Sequence, residues 1–250
     1  MPESKPPSES PEANAQPLFV TTRWSVVLRA GRSDTTRAQA ALAELCQAYW
    51  YPLYAYARRH GFDPHDAEDA TQGFFEKLLK LRSLAGVEQA KGRFRAFMLA
   101  SMKNYLADER DHASAQKRNR ARTISLDAQA AEERYQFEPV ERVTPEQLFE
   151  RRWALTLLDA VMLRLSAEYE SSGRGAMFAA LRFAITGDKS AVPYTELAAE
   201  LGMSGEAVRG AVHRLRKRYR LVLREEIGHT VADESEIADE LNSLRRILSA

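Results

Sequence analysis

Residues 193–224 read PYTELAAELGMSGEAVRGAVHRLRKRYRLVLR, and this stretch decides the fold of the second half of the chain. Pro193 suits the first turn of a helix, where the N–H it lacks would have had no partner. Leu197, Ala198 and Leu201 recur on one side as an inward stripe. Gly202 follows the last apolar position, where a residue without a side chain enters the left-handed conformation at little cost and stops the helix. Met203 can fill the corner, and the Ser204 hydroxyl can cap a second helix. That second helix would bury Val208, Ala211, Val212, Leu215, Tyr219 and Val222 at steps of three and four. A turn this short makes the two helices cross steeply.

The other face of the second helix is charged. Arg209, Arg214, Arg216, Lys217, Arg218, Arg220 and Arg224 fall within sixteen positions that hold no acid. A solvated basic face would explain the charge alone; the capped turn in front of it adds DNA to the expectation. In a helix-turn-helix the early residues of the second helix meet base edges and later ones grip phosphate. On that geometry Glu206, Arg209, Gly210 and His213 are base-edge candidates. Arg214, Arg216, Lys217, Arg218 and Arg220 are placed for phosphate.

The 250 residues suit one or two domains, and the formal net charge is only +1. That balance hides an asymmetry, because residues 225–244 carry seven acids and no Lys or Arg. Ile237, Leu241, Leu244 and Leu248 keep helical spacing through and just beyond this segment, which leaves three readings open: a helix that adds to the helix-turn-helix unit, a solvated tail, or a segment that folds back over the basic face of residues 209–224 and competes with DNA for it. The single Cys46 excludes an intramolecular disulfide, and no Cys and His cluster has zinc spacing. No metal and no cofactor are expected. No run of about 18 apolar residues and no signal-peptide core occur, so no membrane association is expected and the cytoplasm is the default compartment.

Residues 1–17 hold five prolines among Ser and Glu, the composition of a disordered leader. A short helix is expected over 18–28, capped by Thr21 or Thr22 and carrying Trp24, Val27 and Leu28. A long helix after Asp34 turns Leu42, Leu45, Cys46, Tyr49, Leu53 and Tyr56 inward, with a kink at Pro52. Residues 66–81 form the next, burying Ala67, Ala70, Phe74 and Leu78. Its acidic first turn, Asp66, Glu68 and Asp69, is favoured by the helix dipole by ~0.3 to 1 kcal/mol, a sufficient account without catalysis. The helix from Phe94 directs Phe94, Phe97, Met98, Ser101, Tyr105 and Leu106 to a core and ends in basic residues Lys117, Arg118, Arg120 and Arg122. Aromatics beside basic residues, in Arg93-Phe94-Arg95 and Lys103-Asn104-Tyr105, suit unstacked bases. Thr144, with Gln147 three positions on, starts a helix to about Tyr169 that buries Leu148, Trp153, Leu157, Val161 and Leu165.

In three stretches the chain resembles a sigma factor of bacterial RNA polymerase of the extracytoplasmic-function type. DAEDATQGFF (66–75) is similar to the family's polymerase-binding helix, and FRAFMLASMKNYLADE (94–109) to its −10 reading helix. YTELAAELGMSGEAVRGAVHRLRKRYR (194–220) is similar to its −35 reading unit. The resemblance implies an all-α protein of two helical domains joined by a linker. A sigma domain 2-like unit would span 18–118 and a sigma domain 4-like unit with the helix-turn-helix 144–228, separated by a linker at 119–143 and followed by an acidic tail at 229–250. It implies core RNA polymerase and promoter DNA as partners, leaves an anti-sigma factor open, and implies no enzymatic activity. Asp69, Gln72 and Glu76 match positions that contact polymerase, although Gly73 replaces the acid common after the Gln. Arg93, Arg95, Lys103 and Asn104 match the region that reads the −10 element. The linker departs from the family in carrying SLDAQAAEERYQFEP, which has apolar and aromatic residues of its own. A DNA-binding regulator with the same C-terminal unit but no polymerase partner is the first alternative; it would lack the 66–75 helix. A helical DNA-processing enzyme is the second, and would need an acid and His set that the sequence does not group.

Overall fold

The computed structural model describes residues 36–80, 93–113, 126–137, 143–186, 193–231 and 233–249. Among them the secondary structure is helical, with no strand. The leader, the helix expected at 18–28 and the basic residues Lys117, Arg118, Arg120 and Arg122 lie outside the described residues, as do the side chains of Leu42, Leu45 and Cys46.

In chain order the helices are α1 (Thr36–Arg59), α2 (Pro64–Lys80), α3 (Phe94–Ala113), α4 (Leu126–Gln136), α5 (Pro145–Ser171), α6 (Gly175–Leu181), α7 (Phe183–Thr186), α8 (Tyr194–Glu200), α9 (Gly205–Gly228) and α10 (Ile237–Ser249). Local chemistry sets several of their ends. The Gln147 N–H donates to the Thr144 hydroxyl at 3.1 Å and the Thr144 N–H to the Gln147 side chain at 2.9 Å, which closes a capping box at the start of α5. The Ala207 N–H donates to the Ser204 hydroxyl at 3.1 Å and starts α9. Gly202 between α8 and α9 takes φ +61°, the left-handed value that favours glycine. Pro193 sits one position earlier than expected, as the residue before α8.

Among the described residues two large apolar cores form, with a small third cluster of Ala55, Tyr135 and Leu148. The larger gathers Tyr49, Leu53 and Tyr56 of α1, Ala67, Ala70, Phe74 and Leu78 of α2, and Phe94, Met98, Met102 and Leu106 of α3. Met102, absent from the expected stripe of α3, is fully buried, whereas Phe97, Ser101 and Tyr105 are half-buried. The α1 helix is buried on more than one side from Leu53 to Ala57, because α2, α4 and α5 all pack against it. The smaller core holds Leu197 of α8 and Val208, Ala211, Val212, Leu215 and Val222 of α9, with Phe178 and Leu181 of α6. Tyr219 packs at its edge, half-buried.

The α5 helix belongs to both cores. Its first half places Phe149, Trp153, Ala154 and Leu157 in the larger, its second half Val161, Leu165 and Tyr169 in the smaller. The sequence assigns α5 wholly to the second unit; the apolar stripe runs its full length, and the two ends of the stripe find different partners. The segment expected to be a linker also folds against the first unit. Glu132 of α4 accepts from Arg58 Nε and Nη2, each at 2.8 Å, and from the Tyr54 hydroxyl at 2.8 Å. Tyr135 is buried beside Ala55 and Leu148.

The acidic tail forms a helix that joins the larger core; it is neither solvated throughout nor laid over the exposed basic row of α9. A 3-10 turn at Glu234–Glu236 leads into α10, whose Ile237 and Leu244 enter the larger core, with Leu241 and Ile247 packed at its edge. Leu248, the fourth member of the expected stripe, is exposed. Full burial of one such side chain stabilises by roughly 1.5 to 3 kcal/mol, so Ile237 and Leu244 hold α10 in place against α5 and α9, with the outward basic row of α9 left exposed.

Candidate nucleic-acid interface

The turn from Leu201 to Ser204 sets α9 against α8, with Leu197 packed among Val208, Ala211 and Val212. Met203 fills the corner as its sequence position suggests, half-buried at the margin of the smaller core. Because α9 buries one stripe, the opposite stripe faces outward: Glu206, Arg209, His213, Arg216, Arg220 and Arg224 are all exposed, at steps of three and four, with exposed Lys217 beside Arg216. Gly210 is half-buried, and the Arg214 guanidinium lies over it; a Cβ there would stand 3.2 Å from Arg214 Nη1.

Not all the cations of α9 are equally available. Arg216 Nε donates to the Ala184 carbonyl at 3.0 Å, which ties α9 to the α7 turn. Arg218 turns away from the exposed stripe. Its Nε and Nη2 donate to the Glu168 carboxylate of α5, each at 2.7 Å, and its Nη1 reaches Glu225 at 3.4 Å. Arg164 of α5 completes the network, donating to Glu226 at 2.9 Å and pairing with Glu225 and Glu168. The Glu168 hydrogen bond holds the Arg218 pKa above the ordinary guanidinium value, and the Arg218 hydrogen bond holds Glu168 below the ordinary carboxylate range. The sequence places Arg218 among phosphate contacts; here it fastens α9 to α5, because a carboxylate on the neighbouring helix meets its planar fork.

On α2, Asp69, Gln72 and Glu76 are exposed on one outward row. Gln72 Nε2 donates to Glu68 at 3.1 Å, and Glu68 is itself buried. Gly73 has a steric reason: a Cβ built there would run into the Tyr105 hydroxyl of α3. Burial, then Glu109, pushes that hydroxyl up to about 12, so it stays protonated across the working range.

The α3 candidates separate. Lys103 and Asn104 are exposed. Arg95 is not on a free surface, contrary to its place in the sequence expectation. It is 6% exposed, lies over the Trp153 ring at 4.9 Å, and pairs with Glu150 and with Glu240 of α10. The Glu240 carboxylate takes Arg95 Nε at 2.6 Å and Nη2 at 3.2 Å, and Arg93 Nε at 2.9 Å. Burial works against the Arg95 charge, but Glu240 and then Glu150 more than offset it and raise its pKa. Arg93, half-buried, also donates from Nη1 to the Ser243 hydroxyl at 2.9 Å.

The chain matches no protein-family model, no curated protein and no solved structure. Among the described residues no three His, Cys, Asp or Glu side chains gather as metal ligands would, and no helix is long and apolar enough to cross a membrane. Glu240, Glu150, Glu168, Glu225 and Trp153 are partners of the candidate cations that sequence reasoning missed. Glu240 carried a signal, since it is an acid set inside the apolar stripe of α10 between Ile237 and Leu244, where only a paired charge can lie.

Proposed function

We propose that the chain is a promoter-recognition subunit of bacterial RNA polymerase, a sigma factor, acting by binding and not by chemistry. The observation that carries this is the exposed row Arg209, His213, Arg216, Arg220 and Arg224 on a helix capped by Ser204 behind a four-residue turn. Such a helix seats in a major groove with Glu206, Arg209, Gly210 and His213 toward base edges and Arg214, Arg216, Lys217 and Arg220 toward phosphates. The exposed row Asp69, Gln72 and Glu76 on α2 supports a polymerase contact, and exposed Lys103 and Asn104 on α3 support contact with one melted strand. A surface that holds extruded bases and phosphates of a single strand draws the melted state out of the duplex equilibrium, at an unstacking cost of a few kcal/mol per base. Mixing the purified chain with core polymerase and a promoter library should give specific run-off transcripts. No transcript above that of core enzyme alone refutes the proposal.

One observation favours a second reading, a duplex-DNA regulator with no polymerase partner. Arg95 and, in part, Arg93 are taken up by Glu240 in this conformation, so fewer of the α3 cations face outward than the sigma reading uses. Co-purification with core polymerase separates the two, since only the sigma factor is retained.

A further inference from the structure

Glu240 occupies a site built from parts of the chain far apart in sequence. Its carboxylate is fully buried and receives three charged hydrogen bonds, two from Arg95 and one from Arg93. Two guanidiniums converging on one carboxylate make a fork that fits any planar or tetrahedral oxyanion. Without Glu240, Arg95 would keep Glu150 and Arg93 only the Ser243 hydroxyl among these contacts, so the seat favours an anion. Around it α10 is anchored by Ile237 and Leu244 in the larger core and packs against α5 and α9. Ser243 accepts from Arg93, the Phe94 N–H donates to the Thr230 carbonyl at 3.0 Å, and α10 is fully buried only at Ile237, Glu240, Ser243 and Leu244.

The seat also opens onto a track. Ala100 and Asn104 follow Arg93 on one face of α3 at steps of seven and four, with Lys103 beside them, and all three are exposed. Arg93 itself keeps 31% of its side chain exposed at the rim. An extended strand laid along this face would bring its phosphates to Arg93 and Arg95 at the head of the helix, where Glu240 now sits.

We infer that α10 is a displaceable cover on an oxyanion seat formed by Arg93 and Arg95, with Glu240 holding the place of a phosphate of single-stranded DNA. This rests on the proposed function and deepens it, since it makes strand capture by α3 conditional on release of α10. Carboxylate and phosphate compete for the same guanidiniums, so the free protein should bind a single strand weakly and the uncovered one tightly. The Arg209 face of α9 stays open throughout, so duplex binding should not depend on the cover.

The test compares the full chain with its Glu240→Gln variant, using a short fluorescein-labelled single-stranded DNA and the duplex of the same sequence, at low and moderate salt. Glu240→Gln keeps the shape of the side chain and removes its charge. Single-strand affinity several-fold tighter in the variant, duplex affinity unchanged, and loss of the gain in Glu240→Gln with Arg93→Ala are the expected results. Equal single-strand affinity in wild type and variant, with duplex binding intact, overturns the cover and leaves the DNA reading standing. A gain that survives Arg93→Ala also overturns it. Binding of neither DNA by either protein overturns the DNA reading and the cover with it. If Glu240→Gln does not fold, hydrogen exchange on the wild-type protein decides: faster exchange of the α10 amides on adding the single strand supports displacement, and unchanged exchange with the strand bound overturns it.

Discussion

The Arg218 guanidinium and the Glu168 carboxylate meet fork to fork, Nε on Oε2 and Nη2 on Oε1, each at 2.7 Å. An arginine so engaged serves the α5 and α9 contact before it can serve a ligand. Arg218→Ala should therefore lower stability by about 1 kcal/mol or less, the range of partly exposed pairs, and leave the salt dependence of DNA binding unchanged. Arg220→Ala should do the reverse, leaving the melting temperature alone and reducing the salt slope by about 1. Equal flattening of the slope by both substitutions would return Arg218 to the phosphate contacts.

Arg209 stands at the N-terminal end of the exposed face of α9, where a long fork can reach a guanine edge. Arg209→Ala should cost ~1 to 3 kcal/mol on the preferred duplex and relax discrimination at one base pair. Affinity measured on a set of single-base variants of that duplex checks this. Uniform loss on every variant would make Arg209 a phosphate ligand.

The exposed row of α2 lies outside the apolar stripe of Ala67, Ala70, Phe74 and Leu78, so its chemistry can be changed without touching the core. Asp69→Arg combined with Gln72→Ala should abolish co-purification with core polymerase and leave the far-ultraviolet circular dichroism spectrum unaltered. Retained binding would take this helix out of the interface.

Gly73 and Tyr105 should be coupled. Alanine in place of glycine inside a helix ordinarily stabilises by ~1 kcal/mol, but here the added methyl meets the Tyr105 hydroxyl. Gly73→Ala alone should be neutral or destabilising, whereas Gly73→Ala on a Tyr105→Phe background should be stabilising. Additive effects in that double-mutant cycle, measured by urea unfolding, would show that the two positions do not interact.

Glu132 gives α4 a pH dependence. Burial raises its pKa, but the hydrogen bonds from Arg58 and then Tyr54 outweigh that and leave it below the ordinary glutamate value. A depressed folded pKa contributes stability that is fully present above the unfolded value and is lost as pH falls through the folded one. The melting-temperature difference between wild type and Glu132→Gln should thus be largest above about pH 5 and shrink steadily toward pH 3. A difference that does not vary with pH would assign the Gln effect to packing.

The caps at Thr144 and Ser204 and the left-handed Gly202 are legible in the sequence because each is settled within four residues by hydroxyl chemistry or by the absence of a side chain. The exposed basic row of α9 follows from periodicity for the same reason. Arg95 is not legible, since its environment is set by Glu240, 145 positions away, and by Trp153 across the core. The same holds for Arg218 with Glu168, 50 positions away. Periodicity finds which face of α10 is apolar but not which core receives it, and the seven acids left masking of the basic helix, a helix added to the helix-turn-helix unit and a solvated tail all open, none of which names the pairing of Glu240 with Arg93 and Arg95.

The 145-residue separation of Arg95 and Glu240 also has a meaning in time. Chains emerge from the ribosome at about 5 to 20 residues per second, so the arginine is made roughly 7 to 30 seconds before the carboxylate that will cover it. Through that interval Phe94 and Met98 lack the Ile237 and Leu244 side chains that later join their core, and Arg93 and Arg95 lack Glu240, although Glu150 and Trp153 are made 90 and 87 residues before it. The Arg95–Glu240 contact is therefore one that forms late in synthesis, after Glu150 and Trp153, the other partners of Arg95, have been made.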